Sequence, residues 1–227
     1  MAYRNVVLAT SEIYHIVNRS LEGLKLFDNK FAYQRFIDLL NFYYRIPPVR
    51  FSYFNRANKE TKIKIDEAMI NAKKQVDIIA FCLMPNHFHL ILRQHRKNGI
   101  SNFVSKVENG YARFFNIKNN RKGAIFESAF YARRIENNEQ LIHVSRYVHL
   151  NPLVAFLTEK ENLTEYSWFS FKDYLDKKIH SFVEPDIVLA SFKTSEKYFD
   201  FVMNQADYQR KLNKIKHLIS KENYRIS

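Results

Sequence analysis

The sequence predicts an α+β fold in which a largely antiparallel sheet is flanked by helices. Residues 13–17 alternate between two faces, as a half-buried strand does. The apolar run Val76–Met84 is joined through Pro85-Asn86 to a second run, His87–Arg93, and so short a turn makes the two strands antiparallel neighbours. Apolar residues at helical spacing follow each of these strand regions. With 227 residues, 46% of them hydrophobic, the chain can bury one sizeable core.

In the N-terminal third, Glu12–Asn18 is predicted to be a strand. Phe27-Asp28 supplies an N-cap for a helix that ends at Pro47-Pro48, because proline cannot continue a helix. Residues 54–62 have the polar composition of a loop, and Asp66–Lys74 is predicted to be a short helix.

The rest of the chain continues the mixture of strand and helix. Ser101 is expected to cap a helix with an apolar face, and Ala124–Ile135 is expected to be mostly extended. Asn138 is expected to cap a further helix, which should end before Pro152. A turn-rich stretch around Trp168 and two C-terminal helices complete the prediction.

Composition excludes several classes of protein. The four glycines are too scattered for a phosphate-binding loop, so no nucleotide cofactor is expected. The single cysteine, Cys82, excludes an intramolecular disulfide and a cysteine-rich zinc module. No signal sequence or membrane-length apolar run is present. We therefore expect a soluble cytoplasmic protein with no membrane partner.

The positive charge of +13 is concentrated in two stretches. Residues 93–134 contain ten Lys and Arg against two Glu, and residues 208–227 contain six against one. Such clustering is typical of a polyanion binder, although a solubilising surface is the alternative. Aromatic residues interleaved with the first stretch could stack on unpaired bases. The candidate DNA-binding residues there are Arg93, Arg113, Arg121, Lys122, Arg133 and Arg134.

A pair of histidines is the first candidate site. On a strand, His87 and His89 share a face, about 6.6 Å apart at their bases, and Phe88 points the opposite way. Two imidazoles so placed can bind one metal ion. The alternative is a chance pair of histidines on a solvent-facing strand.

The segment NNEQLIHVSRYVHLNP is the second candidate. At 100° per residue, His143, Tyr147 and Asn151 form one stripe beside the buried face of a helix. A side chain at the edge of the buried face is fixed by packing and is still accessible from solvent. His149 points elsewhere on this helix. Taken alone, Tyr147 could equally be an ordinary half-buried tyrosine.

The two motifs together resemble a known family. MPNHFHLIL, followed about 60 residues later by RYVHLNP, is similar to the REP-associated tyrosine transposases. These are single-tyrosine HUH transposases of the insertion-sequence type. YHIVNRS, YARFFN, GAIFESAFYARRIE and YSWFSFKDYL occur in the family's order, so the resemblance spans residues 12–175.

The resemblance implies an activity and a role for each residue. His87 and His89 would bind a divalent metal, Mg²⁺ or Mn²⁺, and Asn151 would complete the site. Tyr147 would attack single-stranded, hairpin-forming DNA and form a 5′-phosphotyrosine intermediate, so that strands are cleaved and rejoined. His143 either assists proton transfer or is a buried, hydrogen-bonded histidine.

The resemblance also implies a domain organisation. Residues 1–175 would be the HUH catalytic domain, with an insertion at about 48–75, and 176–227 a basic helical extension. Whether the protein acts as a homodimer is left open. Where the family usually has an arginine after the Asn-Pro pair, this chain has Val154. Two other functions remain as alternatives: a non-catalytic DNA-binding or repressor protein that retains the fold, and a related HUH nuclease of replication or plasmid transfer.

Overall fold

The computed structural model describes residues 6–127, 129–175 and 177–211. The strands are β1 (Ile13–Arg19), β2 (Val76–Met84), β3 (His87–Gln94) and β4 (Tyr131–Ile135). The helices are α1 (Lys30–Tyr43), α2 (Phe51–Arg56), α3 (Lys59–Ile70), α4 (Gly99–Lys118), α5 (Asn138–Val154), α6 (Asp186–Leu189) and α7 (Ser195–Met203). In this described part of the chain, none of the helices combines the length and apolar character needed to cross a bilayer.

The four strands form one antiparallel sheet in the order β2-β3-β1-β4. The tight turn at Pro85-Asn86 joins β2 and β3 as the sequence predicts, and every residue of β2 is buried. Strand β1 lies inside the sheet between β3 and the edge strand β4. The predicted α+β class is therefore confirmed.

The sheet separates two layers of the molecule. On one face, Phe88 of β3 packs against Phe36 of α1, with ring centroids 5.1 Å apart. Phe36 also contacts Tyr111 of α4, so α1 and α4 cover this face together. Helix α5 contacts β2, β3 and β4. Because side chains alternate along a strand, the residues beside Phe88 in β3, His87 and His89, point to the face opposite α1 and α4.

The C-terminal part of the described chain packs onto the outer side of β2 and α5. Phe169 forms an isolated antiparallel β-bridge with Cys82, and Val183 forms an isolated parallel β-bridge with Ile78. Tyr198 of α7 is fully buried in the same core. Within the predicted extension 176–227, residues 177–211 thus contribute several side chains, among them Val183 and Tyr198, to the hydrophobic core. Residues 212–227 lie outside the described residues.

His149 is the buried centre of this packing. Its Nδ1 is hydrogen-bonded to the Tyr198 hydroxyl at 2.8 Å and its Nε2 to Ser170 Oγ at 2.9 Å. Burial lowers the pKa of His149 to about 3, so the ring is neutral. The helical wheel placed His149 away from the buried face. The structure buries it because α7 and the turn after Ser170 cover a second side of α5.

Three helix starts differ from the sequence prediction. Helix α1 is capped by Asn29, whose side chain accepts a hydrogen bond from Ala32 N, rather than by Asp28. Helix α4 follows Asn98 and already includes Ser101. Asn137 caps α5. Each predicted N-cap lies one to three residues from the observed one, because several neighbouring polar residues in the sequence can cap a helix.

The predicted polar loop at 54–62 is wrong. Except for Ala57 and Asn58, which lie between the two helices, its residues belong to α2 and α3, and the Asn58 side chain caps α3 by accepting a hydrogen bond from Thr61 N. Helix α3 has one buried residue, Ile65, and its other isoleucines, Ile63 and Ile70, are exposed. A helix that buries so little looks like a loop in the sequence because its apolar stripe is too narrow to detect.

Helix α5 also runs past its predicted end. Pro152 lies inside the helix, which ends at Val154. Leu153 is fully buried, and Ala155 N donates to the Asn151 carbonyl. The last turn therefore forms despite the proline because core packing stabilises it.

Candidate active site

His87 and His89 lie at the start of β3, on the face opposite α1 and α4. In the register of the sheet, His87 is opposite Arg19 and His89 is opposite Val17 of β1. The two imidazole centroids are 5.0 Å apart and their planes are inclined by 76°. Alternation along a flat strand thus brings the two rings together, as the sequence predicted.

His89 is the more deeply placed of the pair, with 4% of its surface exposed. Its Nδ1 is 3.0 Å from Nε2 of His15 on β1. Its own Nε2 is buried and has no hydrogen-bond partner among the described residues. Burial lowers the pKa of His89 well below its ordinary value, and the positive charges on His15, His87 and Arg19 would act in the same direction.

His87 is half-buried, and its Nδ1 is 2.7 Å from Asn86 Oδ1. Burial, and to a smaller extent the charge of Arg19, lower the pKa of His87 to about 4. Both histidines of the pair are therefore neutral near pH 7. Neutral imidazole is the form that can bind a metal ion.

Tyr147 projects from α5 toward these histidines. Its ring lies edge-on to His89 at a centroid distance of 5.6 Å and to His15 at 5.9 Å. The side chain is 48% exposed, so a substrate can reach it. Burial of the rest raises the pKa of Tyr147, and the charge of Arg19 and the Asn151 side chain oppose that rise. The phenol is therefore protonated at neutral pH.

Asn151 lies one turn after Tyr147 and is mostly buried. Its side-chain nitrogen donates to the Tyr147 carbonyl at 2.9 Å, which leaves Oδ1 as its potential metal ligand. Within the ranges that the structure describes, no three His, Cys, Asp or Glu side chains form a metal-binding group. A metal at the histidine pair would therefore need an amide oxygen or water as its further ligands.

The residues fit a divalent metal. His89 Nε2 is buried and unpartnered within the described part of the chain, and such a nitrogen carries a desolvation cost that a bound cation would remove. His87 and His89 would hold the ion and Asn151 would complete the set. Nitrogen and oxygen ligands of this kind suit Mn²⁺ and tolerate Mg²⁺.

An open cavity of about 380 Å³ adjoins His15 and His89. It is lined by His15, Val17, Asn18, Arg19, His89, Glu127, Tyr131 and Tyr147. His15 and Arg19 are not among the residues that the sequence motifs indicate. Alternation along β1 places both on the face of Val17, so a search for polar residues at a spacing of two could have found them.

Comparison with known families supports the resemblance seen in the sequence. Residues 41–151 match the family described as IS200-like transposases, a range that includes His87, His89, Tyr147 and Asn151. The chain is therefore similar to IS200-like transposases over the segment that carries the candidate site.

A solved structure shares the fold of this chain. A REP-associated tyrosine transposase bound to a REP hairpin is 14% identical, with a TM-score of 0.53. The match covers 79% of the present chain and 88% of that chain. No curated protein sequence matches the chain.

The six candidate DNA-binding residues do not share one surface of the molecule. Arg93 donates to Asp77 at 2.8 and 2.6 Å, and Arg134 is paired with Glu12 at 2.8 Å, so both charges are matched. Arg133 is exposed on the edge strand β4, directly opposite His15. Arg133 is the candidate that the register places nearest to the histidines.

The other three candidates lie on or just after α4. Arg113 lines a separate groove beside α1 and α2, on the side of the sheet away from the histidines. Arg121 and Lys122 follow the end of α4, and the Arg121 guanidinium lies 5.9 Å from the Phe115 ring. Sequence proximity grouped these cations, but β4 and α4 lie on different parts of the molecule.

His143, the candidate assisting residue, is placed beside the C-terminal helix. Arg146 Nη2 donates to its Nδ1 at 2.8 Å, and its ring packs against Phe201 at a centroid distance of 5.5 Å. His143 is exposed, so it is not a buried core histidine. These contacts direct it toward α7 rather than toward the cavity that Tyr147 lines.

Proposed function

We propose that this chain is a transposase that cleaves and rejoins single-stranded, hairpin-forming DNA through a covalent bond between Tyr147 and a 5′-phosphate, with a divalent metal at His87 and His89. One observation carries the proposal: a half-exposed tyrosine lies edge-on to a buried histidine whose Nε2 has no hydrogen-bond partner among the described residues. The hairpin substrate is suggested by the related transposase, which was solved bound to a REP hairpin.

Held by His87, His89 and Asn151, a divalent ion would bind a non-bridging phosphate oxygen and offset the negative charge that develops in the transition state. The protein supplies the ligands in the right protonation state, because burial keeps both imidazoles neutral. The mostly buried site on rigid strand β3 also fixes their separation.

Tyr147 is the nucleophile in this proposal. Its phenolic oxygen forms a bond to the scissile phosphorus, and the bond from phosphorus to the 3′-oxygen breaks. The phenol proton passes to solvent, and the departing oxygen takes up a proton to become a 3′-hydroxyl. A later attack by another 3′-hydroxyl reverses these steps. Phosphoester bonds are exchanged one for one, so no nucleotide energy source is needed.

Arg19 supplies a positive charge beside Tyr147 and the histidine pair. It lies opposite His87 in the sheet and lines the cavity with Tyr147. Its charge acts on Tyr147 and on both histidines of the pair, as their pKa shifts indicate. A guanidinium suits a phosphate diester by geometry and by charge. Arg19 could thus bind the phosphate that the absent family arginine, replaced here by Val154, would contact.

The test is formation of a covalent adduct. The full chain is incubated with Mn²⁺ and a single-stranded hairpin oligonucleotide labelled at its 3′ end, so that the label stays on the fragment whose 5′-phosphate joins tyrosine. Wild type should give a labelled band that survives SDS. Tyr147→Phe should give none while binding the DNA normally, because only one hydroxyl is lost.

Tyr131→Phe is the matched control, because Tyr131 lines the same cavity and is even more exposed. This variant should form the adduct as wild type does. An adduct on the Tyr147→Phe chain would refute the assignment of the nucleophile. If wild type binds the oligonucleotides but forms a covalent adduct with none of them, the alternative function, a non-catalytic DNA-binding protein, would be favoured instead.

A further inference from the structure

The hydrogen bond between His15 and His89 is the most specific polar contact in the site that the proposed mechanism leaves unused. His15 is opposite Ile91 in the register, and His89 is opposite Val17, so the two histidines are diagonal neighbours on one face. Diagonal pairs in a sheet are within reach only of long or aromatic side chains. Here the two rings meet with His15 Nε2 3.0 Å from His89 Nδ1.

The geometry is that of a head-on hydrogen bond. The ring planes are inclined by only 12°, and the centroids are 5.2 Å apart. The distance between the ring centroids exceeds the 3.0 Å distance between the two bonded nitrogens by about the width of one imidazole ring. The bonded nitrogens therefore lie between the ring centres. The N–H of one nitrogen is therefore directed at the lone pair of the other, whereas two nitrogens that bind one ion both point at a common third position.

A hydrogen bond between two neutral imidazoles needs one N–H and one lone pair, so it couples their tautomers. If His89 Nδ1 carries the proton and donates it to His15, Nε2 of His89 keeps its lone pair. If His15 donates instead, His89 Nε2 must carry a proton, and that buried N–H has no partner among the described residues. Only the first arrangement leaves the buried Nε2 able to bind a metal.

We propose that His15 is a positioning residue that accepts a hydrogen bond from His89 Nδ1–H and so holds the ring and the Nδ1–H tautomer of His89 ready for the metal. The inference rests on the proposed function, because it assigns His15 a purpose at that metal site. Partners of this kind, bonded to the far nitrogen of a metal-binding histidine, commonly change metal affinity 10- to 100-fold when they are removed.

Two substitutions at His15 separate positioning from packing. His15→Phe keeps the volume and the aromatic contact with Tyr147 but removes the acceptor. His15→Gln can present an amide oxygen at nearly the position of Nε2. We expect the Phe variant to bind Mn²⁺ about 10- to 100-fold more weakly than wild type and the Gln variant to recover most of that loss. Free Mn²⁺ measured by electron paramagnetic resonance gives both affinities.

The second readout needs neither metal nor DNA. Long-range ¹⁵N–¹H correlation spectra of the metal-free full chain report which nitrogen of His89 is protonated. Wild type and His15→Gln should show the Nδ1–H tautomer. His15→Phe should shift toward Nε2–H, the form that free histidine prefers. A wild-type His89 protonated on Nε2, or unchanged Mn²⁺ affinity in a folded His15→Phe variant, would overturn the inference.

These outcomes can be distinguished from failure of the proposed function. Absence of a Tyr147 adduct would contradict the covalent mechanism without affecting the tautomer of His89. Conversely, a wild-type chain that forms the adduct but shows an Nε2–H tautomer would refute only the role of His15. Melting temperatures of the three chains show whether each variant is folded.

Discussion

Mn²⁺ affinity should be almost independent of pH between 7.5 and 6.0, unlike that of an exposed histidine pair. Metal binding requires neutral imidazoles, so protons compete with the ion. The folded-state pKa of His87 is lowered to about 4 and that of His89 is lowered well below its ordinary value, in both cases mainly by burial. Lowering the pH to 6.0 therefore still leaves both rings deprotonated.

The contrast with an ordinary site is large enough to measure. An imidazole with the ordinary pKa of 6.5 is neutral only about a quarter of the time at pH 6.0, and two such rings must be neutral together. Affinity would then fall about 15-fold between pH 7.5 and 6.0. With a pKa of about 4, more than about 95% of His87 is neutral at pH 6.0, so the expected change is less than about 1.5-fold.

The assay is titration of the full chain with Mn²⁺ at the two pH values, with free Mn²⁺ measured by electron paramagnetic resonance. Circular dichroism at each pH controls for unfolding. A fall near 15-fold in a folded protein would refute the argument that burial keeps the pair neutral. Absence of Mn²⁺ binding at both pH values would refute the metal site itself.

Three further predictions follow from the same structure. Asn151→Ala should weaken Mn²⁺ binding less than His89→Ala does, because water can replace an amide oxygen; equal losses measured by the same titration would contradict this. Arg133→Gln should reduce the salt dependence of single-stranded DNA binding by about 0.7 in slope, the value of one phosphate contact, whereas Lys59→Gln in α3 should leave it unchanged; fluorescence anisotropy at several salt concentrations tests both. The stability that neutral His149 confers is present above its unfolded pKa of 6.5 and is lost as pH falls toward its folded pKa of about 3. Between pH 7 and 5, the free energy of unfolding of His149→Gln should therefore fall by about 2 kcal/mol less than that of wild type. Urea denaturation at the two pH values measures both, and equal losses would rule out this linkage.

Local patterns in the sequence were enough to predict the sheet and the core of the site. The run of β2, apolar except for Asp77, and the turn that follows it predict a hairpin, because so short a connection brings the two runs together as antiparallel neighbours. Alternation along β3 places His87 and His89 on one face, and the helical period of α5 places Tyr147 and Asn151 in one stripe. These relations depend only on backbone geometry.

Local patterns failed where neighbours distant in sequence decide the outcome. Helix α3 buries only Ile65, so its sequence resembles a loop. Pro152 remains helical because the adjacent Leu153 is packed in the core, and His149 is buried because α7 covers a second side of α5. None of these outcomes can be inferred from the spacing of residues along one element.

The residues of the site also fall into two groups, those whose placement the sequence predicts and those whose placement depends on the tertiary structure. The sequence by itself determined which side chains of β3 and α5 share a face, because the strand period of two and the helical period of 3.6 are properties of the backbone. Only the tertiary structure decided that β1 lies beside β3 in a register that joins His15 to His89 and sets Arg19 opposite His87. The physical reason is that strand order and register depend on how all the apolar faces are buried together, which no single segment encodes.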